Sequence, residues 1–393
     1  MASEQPKKQM EQDAQFNLMT RMKDGERSRT DVGHNLTGSE STREWYGEKQ
    51  LFAATWSSAG PVLNPVMIFN RQAVAQRFVP VLLSNKPVAA KIIKPAALMP
   101  GDAVGVVATA AAVDRDCLER GVAVLRELGY RVKLSPQALG RERIFAGEDE
   151  LRAHELGAFF RDPDVKAVFA ARGGYGSGRL LPLLDFAELA KAPKIFVGFS
   201  DATFLLNALV DHSRMVSFHG PMVAMDFVRG VSARALAHLQ ALLSGASEFE
   251  LEAFEALRPG VAHGPLIGGC LSVIVAMMAT PWQPRFEGRI LFLEDTGEKA
   301  YRIDRMLVQM RQAGVLDRVA GIVFGGLRPV AGDEQEPALI ANFVGEQTAG
   351  LKCPVLFGIQ AGHGTENFTL PLGIPVQLDS RSRRMMVMES AVI

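Results

Sequence analysis

Residues 165–179 read Val-Lys-Ala-Val-Phe-Ala-Ala-Arg-Gly-Gly-Tyr-Gly-Ser-Gly-Arg, and this stretch decides the fold class. Its first seven residues are apolar except Lys166, which predicts a buried strand. A glycine-dense turn follows, and residues 179–189 then have helical apolar spacing. A buried strand that runs through such a turn into a helix is typical of an α/β sheet. Ligands of these sheets bind in the loops at the carboxyl ends of the strands.

Strands and helices also alternate on both sides of this stretch. We predict strands near 103–108, 130–134, 195–198, 266–269, 289–293, 321–324, 355–359 and 376–378, and helices near 114–128, 148–162, 201–212, 271–278 and 302–313. Strands that alternate with helices of this length imply right-handed crossovers and a mostly parallel sheet. The predicted fold class is therefore α/β, with an N-terminal and a C-terminal domain.

The same reading predicts four parts of the chain. Residues 1–92 are expected to be a disordered or loosely packed N-terminal extension, because 1–50 hold too few large apolar residues to offset the entropy of ordering. Residues 93–235 are predicted to form the N-terminal domain that carries the nucleophile. Residues 236–264, which contain a Pro/Gly/His segment, are predicted to be a linker. Residues 265–393 are the predicted C-terminal domain.

Composition excludes several classes of protein. Lys+Arg and Asp+Glu number 43 each, so the chain lacks the basic excess of a nucleic-acid-binding protein. The apolar stretches 104–113 and 271–280 are shorter than the roughly 18 residues of a membrane span. Cys117, Cys270 and Cys353 form no C-x-x-C pair, which argues against a disulfide framework or a zinc site. The N-terminal residues lack the basic-then-apolar order of a secretory signal, so a cytoplasmic location is predicted.

Ser177 is the first candidate for chemistry, because it stands where the glycine loop enters the helix. Its hydroxyl could attack a carbonyl carbon while backbone N–H groups of Gly178 and of Gly173 or Gly174 stabilise the oxyanion. Two other interpretations remain open. Ser177 could cap the following helix, or the loop could hold a phosphate, although it matches neither G-x-G-x-x-G nor a P-loop.

A serine nucleophile needs a base and usually an orienting carboxylate. His363 lies in Gln-Ala-Gly-His-Gly-Thr directly after the apolar run 355–359, and Glu294 follows the predicted strand 289–293. Each also has an ordinary explanation, as a surface-loop histidine and as a turn former. Three loops at strand ends that offer Ser, Glu and His together favour a catalytic triad of Ser177, Glu294 and His363.

A rival nucleophile is Ser200 in Val-Gly-Phe-Ser-Asp, residues 197–201, also at a predicted strand end. His219 could serve as its base. No glycine pair beside Ser200 offers an oxyanion site, so this pairing is ranked below the first. Capping of the next helix by Ser200 or Asp201 is the favoured role there.

In these residues and the motifs around them, the sequence resembles the LD-carboxypeptidase family of serine peptidases, which includes muropeptide and microcin-immunity carboxypeptidases. The matching segments lie in the family's order and together span about residues 93–380. They are K-P-A-A-L-M-P-G-D-A-V-G-V-V at 94–107, R-G-G-Y-G-S-G-R-L-L-P at 172–182, V-G-F-S-D at 197–201, H-G-P at 219–221, G-G-C-L-S at 268–272, I-L-F-L-E-D-T-G-E-K-A-Y-R-I-D-R at 290–305 and G-H-G at 362–364.

The resemblance implies that Ser177 is the nucleophile, His363 the general base and Glu294 its orienting partner. It also implies an N-terminal domain like that of class I glutamine amidotransferases and a C-terminal swivelling β/β/α domain. Members of the family are typically cytoplasmic homodimers that need no metal, and no cofactor, nucleic acid or membrane partner is expected here.

The implied substrate is a small peptide of the muropeptide type. The reaction would cleave the L,D bond to the terminal D-Ala of a murein tetrapeptide in peptidoglycan recycling. One alternative is a microcin-immunity-like activity on peptidyl-nucleotide or other acyl-amino conjugates. An alternative of another class is a Rossmann-type small-molecule binder that uses the same glycine loop without hydrolysis.

The sequence departs from the family pattern at three places. Cys270, a candidate substrate-binding residue, stands where the family usually has Asn, which would alter hydrogen bonding near the site. Residues 108–112 read Ala-Thr-Ala-Ala-Ala where the family usually has A-P-S-S-P, which removes polar groups that could touch substrate. The first 90 or so residues have no family counterpart.

A carboxypeptidase must also bind a terminal carboxylate, which a guanidinium does well through two hydrogen bonds. Arg172 and Arg179 flank the glycine loop, and Arg302 and Arg305 follow Glu294 on a predicted helix. Helix N-termini and backbone N–H groups could also bind the carboxylate. Arg172 is the first choice, because the chain turns there directly into the site.

Overall fold

A computed structural model describes residues 91–332, 334–364 and 366–393. The predicted extension at 1–92 therefore falls almost wholly outside the described residues. Within the described part, every helix is too short or too polar to cross a lipid bilayer.

The first half of the described chain alternates strands with helices, as predicted. The strands are β1 (Ala103–Val107), β2 (Arg131–Leu134), β3 (Val165–Ala170), β4 (Ile195–Gly198) and β5 (Ser217–His219). The helices are α1 (Arg115–Glu127), α2 (Asp149–Arg161), α3 (Phe186–Lys191), α4 (Thr203–His212), α5 (Asp226–Arg229) and α6 (Ala233–Leu243), with 3₁₀ helices at Ser177–Leu183 and Ser200–Ala202. Every side chain of β1 is buried, and so is every side chain of β3 except Lys166, because helices cover both faces of the sheet.

The six-stranded sheet has the order β12-β5-β4-β3-β1-β2, where β12 is Leu370–Leu372. Strands β1 to β5 are parallel and β12 is antiparallel to β5. The chain order reverses between β1 and β3, so the loops after these two strands diverge. This gap at the carboxyl ends is where open α/β sheets bind their ligands.

The second sheet has eight strands in the order β6-β14-β13-β8-β9-β10-β11-β7. They are β6 (Phe249–Glu252), β7 (Glu255–Arg258), β8 (Val261–Cys270), β9 (Ile290–Glu298), β10 (Gly321–Pro329), β11 (Val355–Phe357), β13 (Pro375–Asp379) and β14 (Arg384–Val387). The helices that follow β8, β9 and β10 are α7 (Leu271–Met277), α8 (Ala300–Gln312), α9 (Val315–Arg318) and α10 (Glu336–Thr348). Strands β8 to β11 are parallel, which places the end of β9 and the loop after β11 at one edge.

Two features of the chain path differ from the sequence-based expectation. The stretch 236–264, expected to be a linker, holds the end of α6, the strands β6 and β7 and the start of β8. Both β6 and β7 lie at the margins of the sheet, and β6 buries only Leu251 well, so its hydrophobic signal is weak. In addition, β12 leaves the second half of the chain and pairs with β5 of the first sheet. The two halves are therefore joined by hydrogen bonds between strands as well as by the connecting chain.

Candidate active site

Ser177 lies at the gap between β1 and β3, as the first residue of the 3₁₀ helix that follows β3. Its side chain is fully buried, and its Oγ lies 3.2 Å from Oγ1 of Thr109 in the loop after β1. Its backbone N–H donates to Oδ2 of Asp201 at 2.7 Å. The N-cap position of this helix is occupied by Gly176 and not by Ser177. The Ser177 hydroxyl contacts Thr109 in the neighbouring loop and makes no capping hydrogen bond.

The glycine loop packs closely against the loop after β1. Gly174 has φ +103°, and a Cβ there would lie 2.7 Å from Cβ of Ala111. The N–H of Ala111 donates to the carbonyl of Gly173 at 3.3 Å. Only glycine fits this conformation and this approach, so its presence holds the two loops together at the site. The role of the Gly174 and Gly178 N–H groups as oxyanion donors stays a prediction.

Arg152 of α2 supports the same loop from inside the protein, although the sequence reading did not single it out. The side chain is fully buried, and its guanidinium donates to the carbonyls of Thr109, Gly147 and Gly176. It also pairs with the carboxylate of Asp149. Arg152 therefore ties together the loops after β1 and β3, which carry Thr109 and Ser177.

His363, in the loop after β11, is brought together with Glu294 on β9. Nδ1 of His363 lies 2.7 Å from Oε2 of Glu294, and the backbone N–H of His363 donates to the same oxygen at 3.0 Å. Glu294 is fully buried on β9, and a Cβ at Gly362 would lie 2.4 Å from Oε2. The glycine before His363 is therefore what allows the loop after β11 to reach the carboxylate.

The pair has a defined charge state. Burial alone would raise the pKa of Glu294, but the nearby imidazole of His219 and the hydrogen bond and charge of His363 outweigh burial and lower the pKa to about 2. Burial likewise disfavours the charged imidazolium of His363, but the hydrogen bond and charge of Glu294 outweigh burial and raise the pKa of His363 above its ordinary value. Glu294 is thus an anion near neutral pH, and it stabilises positive charge on His363.

The rival pairing of Ser200 with His219 does not form. Neither ring nitrogen of His219 has a hydrogen-bond partner among the described residues, and its Nε2 lies 3.6 Å from Oε1 of Glu294. Ser200, with φ +58°, packs beside Gly173 instead. The structure therefore places His219 on the far side of the Glu294 carboxylate.

Ser177 and His363 make no direct contact in this state. Among the described residues, no hydrogen bond joins the Ser177 hydroxyl to the imidazole. The ring of Phe199, which follows β4, lies 4.7 Å from the ring of His363 between centroids. The contact between Glu294 and His363 is formed, and Ser177 lies at the gap between β1 and β3.

The four candidate arginines differ in their partners. Arg179 pairs with Asp149 at 2.6 Å, and Arg302 pairs with Glu298 at 3.2 Å. Arg305 lies over the ring of Tyr301. Arg172 donates from Nη1 to the carbonyl of Ala112 at 3.0 Å, while its buried Nε has no hydrogen-bond partner.

Arg172 also has no acidic partner within ion-pair distance in the part of the chain that the structure describes. Its guanidinium thus has unused hydrogen-bonding capacity.

Cys270 ends β8 beside Glu294, its register partner on β9. The side chain is buried, and its Sγ lies 3.3 Å from Oγ of Ser272. Burial raises the pKa of this thiol well above its usual value, so the group is an uncharged thiol. A role for Cys270 toward substrate stays a prediction.

Asp201 is a site residue that the sequence reading interpreted as a helix cap. Its side chain is buried, and burial raises its pKa. The carboxylate accepts the Ser177 N–H instead of capping its own helix. One sequence signal pointed to the site, since Asp201 follows β4 at the same side of the sheet as Ser177. The pairing itself could not be predicted, because the two residues are 24 positions apart and no local pattern links them.

Comparison with protein families covers most of the described chain. Residues 104–220 match the LD-carboxypeptidase N-terminal domain, and residues 263–378 match the LD-carboxypeptidase C-terminal domain. The two matches contain the β1–β3 gap and the Glu294–His363 pair respectively.

Individual relatives agree with this. The chain is 32% identical over 292 residues to the murein tetrapeptide carboxypeptidase of Pseudomonas aeruginosa, covering 72% of this chain and 94% of the relative. It is 26% identical over 331 residues to the microcin C7 self-immunity protein of Escherichia coli, covering 75% and 95%.

A solved structure, the muramoyltetrapeptide carboxypeptidase from Oxalobacter formigenes, is 34% identical with a TM-score of 0.67, covering 73% of this chain and 98% of that one. The chain belongs to the LD-carboxypeptidase family.

Proposed function

We propose that this protein is a serine-type LD-carboxypeptidase that removes the terminal D-Ala from a murein tetrapeptide. Ser177 acts as the nucleophile, His363 as the general base and Glu294 as the orienting carboxylate. The observation that carries this proposal is the 2.7 Å contact between His363 and the buried, ionised Glu294, in a chain whose relatives include murein tetrapeptide carboxypeptidases. A carboxylate on Nδ1 leaves Nε2 free to accept a proton.

In the proposed reaction, His363 Nε2 takes the hydroxyl proton of Ser177 as Oγ attacks the carbonyl carbon of the peptide bond. The proton then passes to the amine of the leaving D-Ala as the C–N bond breaks. Water, deprotonated by the same imidazole, hydrolyses the acyl-enzyme and restores Ser177. Backbone N–H groups of Gly174 and Gly178 are assigned to the oxyanion.

The proposal includes a rearrangement at Ser177, because its buried hydroxyl is bonded to Thr109 in this state. Rotation about χ1 moves Oγ between staggered positions, and catalytic hydrogen bonds often tighten only when substrate is bound. The glycines at 173, 174, 176 and 178 give the loop the backbone freedom to uncover the hydroxyl.

The activity is tested by incubating the protein with a purified murein tetrapeptide and measuring free alanine and tripeptide by mass spectrometry. A tetrapeptide ending in L-Ala is the matched control, and an aminoacyl sulfamoyl adenosine tests the microcin-immunity-like alternative. Release from the D-Ala peptide alone supports the proposal. Hydrolysis of the nucleotide conjugate alone would contradict the proposal and support the microcin-immunity-like activity. Hydrolysis of neither compound would favour the non-hydrolytic binder.

The finer assignments belong to the same proposal. The parallel order β2-β1-β3-β4-β5 supports the proposal of a first domain like that of class I glutamine amidotransferases, and the mixed eight-stranded sheet supports the proposal of a second, swivelling β/β/α domain. A cytoplasmic location and a homodimer are also proposed. Sedimentation of the purified chain distinguishes a dimer from a monomer.

The proposed base predicts a pH dependence. Only the neutral imidazole of His363 accepts a proton, and although burial opposes its charged form, the negative charges of Glu294, Asp295 and Asp226 raise its pKa. We expect kcat/KM to fall as the pH drops through a pKa above about 6.5, the ordinary value for histidine. The measurement is kcat/KM from pH 5 to 9. A profile that is flat down to pH 5 would contradict the role of His363.

Arg172 is proposed to bind the terminal carboxylate of the substrate, because its guanidinium has no acidic partner and a buried Nε without a hydrogen bond. Arg172→Ala is expected to raise KM for the free-acid tetrapeptide by about 10–100-fold, the loss of one or two charge-assisted hydrogen bonds. The corresponding peptide amide, a poor substrate, should lose little further.

Arg179→Ala is the control, since Arg179 is already paired with Asp149. Equal losses on acid and amide would show that Arg172 supports the loop instead.

A further inference from the structure

His219 is fully buried and has no role in the proposed triad. It is the last residue of β5, between β4 and β12, and its side chain is fully buried. The rings of Phe199 and Phe292 pack against it at centroid distances of 5.6 and 5.0 Å. A buried imidazole in such apolar surroundings needs a hydrogen-bond partner, because an unsatisfied polar group there is costly.

The available partner is the free oxygen of Glu294. Nε2 of His219 lies 3.6 Å from Oε1, just beyond hydrogen-bond length, and Oε1 has no other hydrogen-bond partner among the described residues. Oε2 is used twice by His363, through the imidazole and the backbone N–H. The carboxylate therefore stands between two imidazoles that come from different sheets.

From this geometry we propose that His219 is a positioning residue, which donates from Nε2–H to Oε1 of Glu294 and fixes the carboxylate in the orientation that His363 requires. The inference rests on the proposed function. A carboxylate held at one oxygen can turn about its Cγ–Cδ bond, whereas a carboxylate held at both oxygens cannot. His219 is fixed on β5 of the first sheet and Glu294 on β9 of the second, so the proposed hydrogen bond joins the two sheets.

The same contact has an electrostatic consequence. A donor on Oε1 compensates part of the negative charge of Glu294, and the remainder stabilises the imidazolium of His363. Without that donor, Glu294 attracts the charge on His363 more strongly, so the pKa of His363 rises further. Asp295 and Asp226, the other acids that act on His363, keep their places.

The test compares two replacements of His219 in the full-length protein. His219→Phe keeps the ring shape and removes the donor, while His219→Gln keeps an N–H at the same distance from Cβ. For His219→Phe we expect kcat to fall by about 10–100-fold with KM within about twofold, and the acidic limb of the kcat/KM profile to move up by about 0.5 pH unit. His219→Gln should recover at least half of the loss on a logarithmic scale.

His212→Phe is the matched control, because His212 packs against Phe186 and Trp282 away from the site. It should keep the wild-type profile. A wild-type kcat and pH profile in His219→Phe, or no recovery in His219→Gln, would overturn the proposal.

A measurement independent of activity covers the case in which His219→Phe fails to fold. In ¹⁵N-histidine NMR spectra of the wild type, the His219 Nε2–H should give a slowly exchanging signal that is absent in His219→Gln and shifted in Glu294→Gln. A His219 ring without a proton on Nε2, or a signal insensitive to Glu294→Gln, would refute the contact. The NMR result stands even if no peptidase activity is found, so failure of the proposed function is distinguished from failure of this inference.

Discussion

Replacement of Ser177 by alanine is expected to lower kcat on the murein tetrapeptide by at least about 10³-fold, as loss of the nucleophile does in other triad enzymes. Without Oγ no acyl-enzyme forms, and only binding and oxyanion stabilisation remain. The fold should be retained, because the lost hydrogen bond between Oγ and Thr109 contributes about 1 kcal/mol to the free energy of unfolding. Steady-state kinetics and thermal unfolding measure both effects.

Ser200→Ala is the matched control, because Ser200 also follows a strand of the same sheet and lies beside the glycine loop. It should keep activity within about tenfold of wild type, since no reacting bond involves its hydroxyl. Ser177→Ala with near-normal kcat, together with an inactive Ser200→Ala, would move the nucleophile to Ser200.

Glu294→Gln should have the second largest effect, a fall in kcat of about 10²–10⁴-fold with little change in KM. The glutamine keeps the shape of the buried side chain but removes the charge that holds Nδ1–H of His363 and stabilises its imidazolium. Burial would then dominate, so the pKa of His363 should fall and the acidic limb of kcat/KM should move to lower pH.

Glu298→Gln is the matched control. It makes the same change of acid to amide on the same strand, β9, but Glu298 pairs with Arg302 near the surface. It should leave both kcat and the pH profile as in wild type. If Glu294→Gln raises KM and spares kcat, Glu294 binds substrate and does not orient the base.

Local sequence predicted the elements that carry the strongest patterns. The apolar run before the glycine loop is β3, and the run 289–293 overlaps the start of β9. Because carboxyl ends of parallel strands fall on one edge, their following residues were expected to meet, and His363 and Glu294 do meet. The weakly patterned strands were missed, because margin strands such as β6 and β7 bury few side chains.

Partners distant in sequence could not be read from any local pattern. Thr109 lies in a loop read as having lost its polar contacts, yet its Oγ1 contacts Ser177 from 68 residues away. No local pattern singled out Arg152, but its fully buried guanidinium donates to carbonyls of three loop residues. Such roles depend on which loops the folded sheet brings side by side.

The sequence by itself determined the α/β class, because periodicity and glycine-rich strand ends are local properties of the chain. The motifs that it shares with the LD-carboxypeptidase family indicated the family and the three residues proposed for the triad. The tertiary structure alone decided which groups surround them. It placed the Asp201 carboxylate on the Ser177 N–H, the His219 imidazole 3.6 Å from the second oxygen of Glu294, and β12 beside β5. These contacts join residues from different strands or different sheets. They exist only once the packing of the two sheets has set the distance between the residues.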